Sequence, residues 1–430
     1  MNFVKANIYN FLASSVLYAL HMILGIIQAR LLGPSELGRF QLFITTQTVL
    51  IGICALGLGQ AGIYFRNTNK IGLERIVTTI FKAEFFLMIG IAVVMFLIIL
   101  LSVSYFGSVS LDIIIWFSIG TAALLLVSAV RPLFIADMRV AESQIVQYVI
   151  AVCTFLFTIL IYRYRNSLSV EEILIIVSIS NILGMLTLIY SFRKEFKYHL
   201  KFEFPLFKDI TKFGLKMSFN NIAYLFLQYA PIYMLTWFSL KGFYDVGLFS
   251  RAVSVCAIAA FVNSTIGPLL YSKLSSIKND QKVEYGRLIS SSFLIINILV
   301  TLLIIIFARI LILLLFGEDY VGAVPILRIL ALTLVFNGIG EIINNLFASI
   351  GKPEFMLYNF LITLAVLIPL LYFFIAQWGL IGCAIAVLLA TIIKAFLLIN
   401  SLKKFVDLGY KDYFYLKIEN LRKLRQIIVR

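Results

Sequence analysis

Six basic side chains and one acid lie inside long apolar segments of this sequence. Charge inside an apolar segment is costly in a bilayer, and it usually faces a cavity or a charged partner. We therefore predict that Arg30, Arg131, Arg251 and Lys394 are cavity cations that bind a substrate. Glu341 is predicted to be the counter-ion of one of them or an ion-coupling site.

A second interpretation applies to the bases near helix ends. Long basic side chains can extend along an apolar surface and place their charge among lipid headgroups. Arg30, Arg309 and Arg328 fit that interpretation as well as a binding role. Arg131 is different because Pro132 follows it, and a proline inside a helix leaves backbone groups without their helical partners.

The composition places these residues in a membrane protein. The chain has 430 residues, of which 62% are hydrophobic and 13% are charged. Soluble proteins have about 25% charged residues. The apolar residues form runs of about 20, which is the length of a membrane-spanning helix. They do not alternate with polar residues as the strands of a transmembrane barrel do. The sequence thus predicts an all-α integral membrane protein.

The apolar runs predict twelve transmembrane helices in two six-helix bundles. The predicted domains are a bundle at 1–195, a cytoplasmic linker at 196–212, a second bundle at 213–401 and a basic cytoplasmic tail at 402–430. The predicted helices are 7–32, 40–65, 83–106, 112–136, 143–162, 172–192, 213–238, 246–270, 287–316, 324–350, 355–376 and 379–401.

The positive charges set the predicted orientation. The net charge is +15, and basic residues concentrate in the loops on the cytoplasmic side of a membrane protein. With the N-terminus inside, the predicted outer loops contain only Arg39, Arg163, Arg165 and Lys241. Both termini are therefore predicted to be cytoplasmic. Lipid headgroups are sufficient partners for the basic residues, so we predict no nucleic-acid partner.

Two turns in the sequence share a pattern and suggest an internal repeat. "GPSELGRF" begins at Gly33 and "GFYDVGLF" begins at Gly242, and each joins the first two helices of a predicted bundle. Six helices return the chain to its starting side, so the two bundles are predicted to be parallel repeats. The predicted gating or turn residues are Gly33, Pro34, Gly38, Gly242 and Gly247.

Other motifs predict packing rather than cofactor chemistry. "GLGQAG" at residues 57–62 matches a dinucleotide fingerprint, but it lies in an apolar helix without the required strand. Close helix packing is the better explanation. The four cysteines have no metal-type spacing. We predict no metal, no cofactor and no catalytic residues. Polar side chains on three helices are predicted to bond between helices: His21, Asn220, Asn221, Gln228, Asn337, Asn344 and Asn345. For those on the first and seventh helices, lining a central cavity is the alternative.

Several stretches resemble polysaccharide repeat-unit flippases, the O-antigen or Wzx-type members of the superfamily that also contains multidrug and toxin extruders. These stretches are "ARLLGPSELGRFQLF" from Ala29, "GPLLYSKLS" from Gly267, "FGEDYVGAVPILRILAL" from Phe316 and "WGLIGCAIAVLLA" from Trp378. The resemblance implies a MATE-like fold, alternating access and a lipid-linked oligosaccharide substrate in a bacterial cytoplasmic membrane. It further implies a cationic cavity built mainly by the first, second, seventh and eighth helices. Arg30 and Arg251 fall on those helices, whereas Arg131 and Lys394 do not, which makes them weaker candidates.

The leading hypothesis is a flippase for an undecaprenyl-diphosphate-linked glycan, whose expected partners are membrane lipids and the polysaccharide polymerase and export machinery. Arginine suits a diphosphate by its geometry. A cation-coupled drug extruder is the alternative, and it would favour acids in the cavity. Glu341 is here the main acid predicted to be buried, against six bases. A glycan polymerase or ligase would need a sizeable outer loop, and the predicted outer loops are short.

The predicted orientation can be tested by thiol labelling. In a background without native cysteines, Ser35→Cys and Lys241→Cys should react with an impermeant reagent on intact cells. Ser276→Cys should be protected because it lies on the cytoplasmic side. The reverse pattern would show that the orientation is inverted.

Overall fold

The computed structural model describes residues 3–68, 71–107, 109–198, 202–276, 279–349, 354–403 and 405. Within these residues the chain forms helices and short turns, with no strand. The predicted all-α class is confirmed. The chain divides into an N-terminal unit, Met1–Leu225, and a C-terminal unit, Phe226–Arg430. The predicted tail lies almost wholly outside the described residues.

The helices follow one another with short connections, and the tenth begins in the first unit and ends in the second. The first nine are α1 Phe3–Cys54, α2 Leu58–Thr68, α3 Leu73–Leu101, α4 Val103–Phe106, α5 Leu111–Val130, α6 Leu133–Ala136, α7 Val140–Arg165, α8 Val170–Ser191 and α9 Arg193–Tyr198. The others are α10 Phe204–Phe238, α11 Phe243–Ser276, α12 Asn279–Phe316, a 3₁₀ turn Glu318–Tyr320, α13 Ala323–Ala331, α14 Thr333–Ser349 and α15 Glu354–Leu402.

Two of the apolar helical stretches are too long for one membrane crossing. In the described chain, nine helical stretches are long and apolar enough to cross a bilayer, and two of these, Phe11–Thr68 and Glu354–Leu402, have 58 and 49 residues. Each contains a glycine with non-helical backbone angles, Gly33 in α1 and Gly379 in α15. Each stretch thus divides into two helices near the predicted positions. The count of twelve crossings remains a prediction.

Two predicted helix boundaries are wrong by about ten residues. Helix α3 begins at Leu73 rather than at 83, and α10 begins at Phe204 rather than at 213, inside the predicted linker. Charged residues caused both errors, because they were interpreted as loop. They are instead compatible with the first turns of a helix that starts in water. Arg75 on α3 donates to Glu203 just before α10, with Nε 2.7 Å from Oε1.

Helices α3 and α12 each have one buried face and one exposed face that is apolar. In the N-terminal unit, a core of aliphatic and aromatic side chains joins α2, α3, α5 and α8, and a second core in the C-terminal unit joins α12, α14 and α15. The opposite faces of α3 and α12 carry exposed apolar residues, as expected of a surface in contact with lipid. Examples are Phe85, Phe86, Ile89 and Val93 on α3, and Leu299, Leu302, Leu303 and Ile306 on α12.

Glycine allows the closest helix pair of the N-terminal unit. Helices α5 and α8 pack extensively against each other. A Cβ on Gly120 of α5 would lie 2.5 Å from the Cα of Ser178 on α8. Because that neighbour is backbone, it cannot move aside without separating the helices. Small residues at such interfaces let membrane helices approach closely.

This contact predicts that Gly120→Ala lowers stability. The added methyl group should cost about 1–3 kcal/mol through overpacking. Thermal unfolding of the purified protein in detergent should show a lower midpoint. Gly90→Ala on α3 is the matched control, since nothing lies within 4 Å of its Cβ position. Equal midpoints for the two variants would show that α5 and α8 do not depend on this contact.

Candidate functional site

A polar group lies on α14 and α15 of the C-terminal unit. Asn337 and Glu341 are one turn apart on α14, and Lys394 is on α15. The Lys394 Nζ donates a hydrogen bond to Asn337 Oδ1 at 2.8 Å. Glu341 is close enough to attract Lys394 electrostatically. Asn337 is exposed, and Lys394 and Glu341 are partly exposed. The structure thus brings one predicted cation together with the predicted counter-ion.

Arg251 is enclosed within the C-terminal unit. Its side chain is only 8% exposed, and its guanidinium carbon lies 5.7 Å from the centre of the Phe316 ring. Tyr320, in the 3₁₀ turn, is also buried and interacts electrostatically with Arg251. Burial raises the pKa of Tyr320 above its ordinary value, so its hydroxyl remains neutral. The arginine therefore has a packing role in addition to its charge.

Arg30 and Arg131 lie in the N-terminal unit. Arg30 is exposed on α1. Arg131 follows the end of α5 beside Pro132, is partly buried, and donates from Nη1 to Ser143 Oγ at 3.2 Å. The four predicted cations are therefore divided equally between the two units. Arg309 and Arg328 are exposed, which agrees with the interpretation that they reach the lipid headgroups.

The repeated turns have similar local structures. Gly33 has a φ of 71° and Gly242 a φ of 45°, a left-handed conformation that glycine adopts without strain. Pro34 follows at once, where its fixed φ suits the start of a helix. Gly38 and Gly247 are buried one turn later. Near the second turn, the Ser239 hydroxyl donates to the Asp245 carboxylate. The gating role of these glycines remains a prediction.

A cavity of about 270 Å³ lies within the N-terminal unit and was not predicted as a site. It is next to the three-residue break between α1 and α2, where Leu56 and Gly57 have positive φ values of 47° and 64°. Its lining is uncharged and rich in small and polar residues. These include Thr48, Gly52, Gly57, Gln60, Ser128, Ser218 and Asn221.

Two predictions from the sequence, for "GLGQAG" and for Asn221, concerned this region but did not identify the cavity. The glycines of "GLGQAG" do pack closely, since a Cβ on Gly59 would lie 2.4 Å from the backbone oxygen of Ala129. The packing interpretation is therefore confirmed for Gly59. Asn221 was predicted to line a cavity or to bond between helices, and it lines this one.

Arg139 organises the connection between α6 and α7. Its guanidinium donates to the carboxylates of Glu142 and Glu195, and to the backbone oxygen of Ser191 at 3.0 Å. The Glu142 hydrogen bond, with the attraction of both carboxylates, raises the pKa of Arg139. This ionic cluster joins α7, α8 and α9 through the hydrogen bonds of one guanidinium, so we assign it to folding rather than to binding.

One acid was missed by the sequence analysis. Glu84 on α3 is 0% exposed, and both of its carboxylate oxygens are buried without a hydrogen-bond partner among the described residues. Glu341 is partly exposed, and Asp245 is 5% exposed. The expectation that Glu341 is the main buried acid is therefore wrong. The predicted start of α3 at 83 hid Glu84, because it made the acid seem to lie at the water boundary.

These features define a class: an α-helical, multi-pass membrane protein with a MATE-like fold. The lipid II flippase MurJ, solved in an inward closed conformation, matches with a TM-score of 0.75 at 15% identity, covering 98% of this chain and 92% of that one. A multidrug resistance MATE family transporter of the MOP superfamily matches with a TM-score of 0.73 at 19% identity, covering 90% and 95%. At these identities the matches show a shared fold.

The chain belongs to the polysaccharide biosynthesis protein family, whose model matches residues 3–271. A putative O-antigen transporter of Shigella flexneri is 26% identical over 227 residues, which are 51% of this chain and 53% of the relative. Capsular polysaccharide biosynthesis protein CapF of Staphylococcus aureus is 24% identical over 267 residues, which are 60% and 63%. The chain thus spans between half and two thirds of the length of these relatives.

The enclosure of Arg251 predicts different effects for two substitutions. Arg251→Ala should leave a space beside Phe316 and Tyr320 and lower stability by about 1–3 kcal/mol. Arg251→Met keeps most of the apolar stem and should cost less. Thermal unfolding in detergent measures both. If alanine were tolerated as well as methionine, the packing role of this arginine would be refuted.

Proposed function

We propose that the chain is a flippase that moves an undecaprenyl-diphosphate-linked oligosaccharide repeat unit to the outer leaflet by alternating access. It would serve the synthesis of a surface polysaccharide. The observation that carries the proposal is Lys394, a cation inside a spanning helix whose hydrogen-bond acceptor is an uncharged amide. In the described chain its attraction to Glu341 is electrostatic, without a contact within 4 Å, so its charge remains available to an anion.

A diphosphate suits this arrangement. It has at least two negative charges, which a lysine and arginines within spanning helices can bind by charge-assisted hydrogen bonds. Family membership supports a role in polysaccharide biosynthesis, and the name of the Shigella relative supports a transporter of O-antigen. We therefore assign substrate binding to Lys394, Arg251, Arg30 and Arg131, and we assign Glu341 as the counter-ion that attracts Lys394 when no anion is bound.

The cation-coupled drug extruder is the second candidate. The shared fold with a multidrug transporter favours it, and so does the buried acid Glu84. We rank it second because the family model is one of polysaccharide biosynthesis. A polymerase or ligase remains the third candidate. We further propose that the protein transports rather than catalyses, and that both termini are cytoplasmic.

The test is complementation of a deletion strain. Without the gene, the lipid-linked glycan should accumulate on the inner leaflet, and the intact gene should restore its export. Lys394→Met and the double variant Arg30→Ala with Arg251→Met should each export poorly at matched protein levels. Losing one charge-assisted phosphate contact costs about 1.5–3 kcal/mol, which corresponds to roughly a tenfold to hundredfold loss of affinity.

Arg309→Ala is the matched control, because Arg309 is a basic residue on a spanning helix with an exposed side chain. It should export normally. Lys394→Arg should retain more activity than Lys394→Met, since it keeps the charge. Normal export by both Lys394→Met and the double variant would refute the cation sites. Normal glycan export after deletion, together with greater sensitivity to cationic dyes, would favour the extruder.

A further inference from the structure

Glu84 occupies an unusual position for a carboxyl group. It lies eleven residues into α3, a spanning helix, between the buried Ala83 and the exposed Phe85. Its side chain is 0% exposed, and neither carboxylate oxygen has a hydrogen-bond partner in the described part of the chain. Leu87 and Met88, one turn later on α3, pack against a cluster that contains Ile51 and Leu125. The acid is thus covered from the lipid side and the interior alike.

An ionised carboxylate is poorly suited to this environment. Moving a charge from water into an apolar interior is strongly unfavourable unless a partner or hydrogen-bond donors compensate. A protonated carboxylic acid carries no net charge and is far easier to bury. The covered state of Glu84 is therefore the protonated one.

A metal cation would need more oxygen ligands than this site provides. Hard cations are usually bound by six or more oxygens, of which several are carboxylates. In the residues that the structure describes, no group of three or more His, Cys, Asp or Glu side chains comes together. A proton needs only one acceptor. The geometry thus favours a proton as the ligand of Glu84.

One titratable group that interacts with Glu84 is a thiol. Cys54, the last residue of α1, is electrostatically coupled to Glu84. Lys82 lies two residues before Glu84, about 200° away around the helix, and so faces a different side of α3. Helix α3 therefore does not place Lys82 where it could stabilise an ionised Glu84.

Two charged groups on the helices packed against α3 are paired with other residues. Arg66 on α2 pairs with Asp137, with 3.1 Å between Nη2 and Oδ1, and Glu195 on α9 pairs with Arg139. Asp112 is in the first turn of α5, at the end of that helix. Tyr64 on α2 is stacked on Phe213, with ring centres 4.2 Å apart.

The polar cavity lies close in the chain to Cys54, which interacts electrostatically with Glu84. Cys54 is followed by Ala55, which lines the cavity, and by Leu56 and Gly57 in the break between α1 and α2. A leucine with positive φ is strained, and irregular backbone inside a membrane is tolerated where it lines a cavity. The break is therefore the part of the chain that connects Cys54 to the lining of the cavity.

We propose that Glu84 is a proton-binding site of the N-terminal unit, and that the break between α1 and α2 controls its exchange with water. When Glu84 is covered, its carboxyl group holds the proton. When the break opens, the O–H bond breaks, the proton passes to water in the cavity, and the carboxylate remains until it is protonated again. The role in transport rests on the proposed function, whereas proton exchange at Glu84 does not.

Infrared difference spectroscopy tests proton exchange without any glycan. Purified protein in lipid nanodiscs is titrated, and the carbonyl band of protonated carboxylic acid is followed. The wild type should lose part of this band as pH rises, and Glu84→Gln should abolish that component. Glu171→Gln, which removes an acid from the first turn of α8, is the matched control and should leave the component unchanged. If Glu84→Gln does not fold, Glu84→Asp should shift the band.

Export in cells tests the coupling. Glu84→Gln resembles the protonated acid but cannot release a proton, so export should fall at least about tenfold. A protonophore should inhibit the wild type and have little further effect on the variant. If the pH-dependent part of the carbonyl band persisted in Glu84→Gln, the assignment of Glu84 as a proton-binding site would be refuted. If Glu84→Gln lost the pH-dependent part of the carbonyl band but kept normal, protonophore-sensitive export, the coupling of proton exchange to transport would be refuted. Glu84 would then have a structural role. If deletion leaves glycan export intact, the proposed function fails while the infrared result still decides proton exchange.

Discussion

Hydrocarbon cannot supply hydrogen bonds, and this constraint governs each polar atom in the spanning part of the chain. Helices satisfy their own backbone groups, so an interruption is tolerated only where other atoms or a cavity replace the lost partners. The chain interrupts its helices at few places, and each is instructive. Gly33 and Gly379 redirect the chain between two crossings, whereas the break after Cys54 lies beside a polar cavity. The same constraint makes Lys394 and Glu84 informative, because a charged side chain inside a spanning helix is energetically unfavourable.

Much of the fold could be predicted because apolar segments of sufficient length have few alternatives in a bilayer. The turns at Gly33 and Gly242 were predicted because each places glycines and charged residues between two apolar runs, and both have the positive φ that glycine permits. Helix starts were harder to predict. Glu74, Arg75 and Lys82 resemble loop residues in composition, yet they belong to the first turns of α3. Hydropathy predicts which residues can lie in lipid. It does not predict where a helix begins when the helix extends into water.

The candidate site was less predictable because burial depends on neighbours that are distant in sequence. Lys394 and Glu341 are 53 positions apart and meet only because α14 packs on α15. Arg251 could be recognised as a cation within a helix, but its cover by Phe316 and Tyr320 depends on tertiary structure. Glycine, serine and threonine make up nearly half of the residues that line the cavity, and such a composition resembles ordinary helix packing. The sequence shows which residue types are present. The cavity between their side chains exists only after the helices have packed together.

The depth of Glu84 also bears on how the protein is made. The chain is synthesised from its N-terminus, so α3 leaves the ribosome before α5, the helix against which it packs most extensively. At that stage the acid has no cover from α5, and lipid is a poor environment for it. Insertion of α3 alone is therefore disfavoured by the same group that the finished unit encloses. The apolar residues of α3 outweigh this cost, and packing against α5 then removes it, so the pairing of the two helices is favoured as soon as both have entered the bilayer.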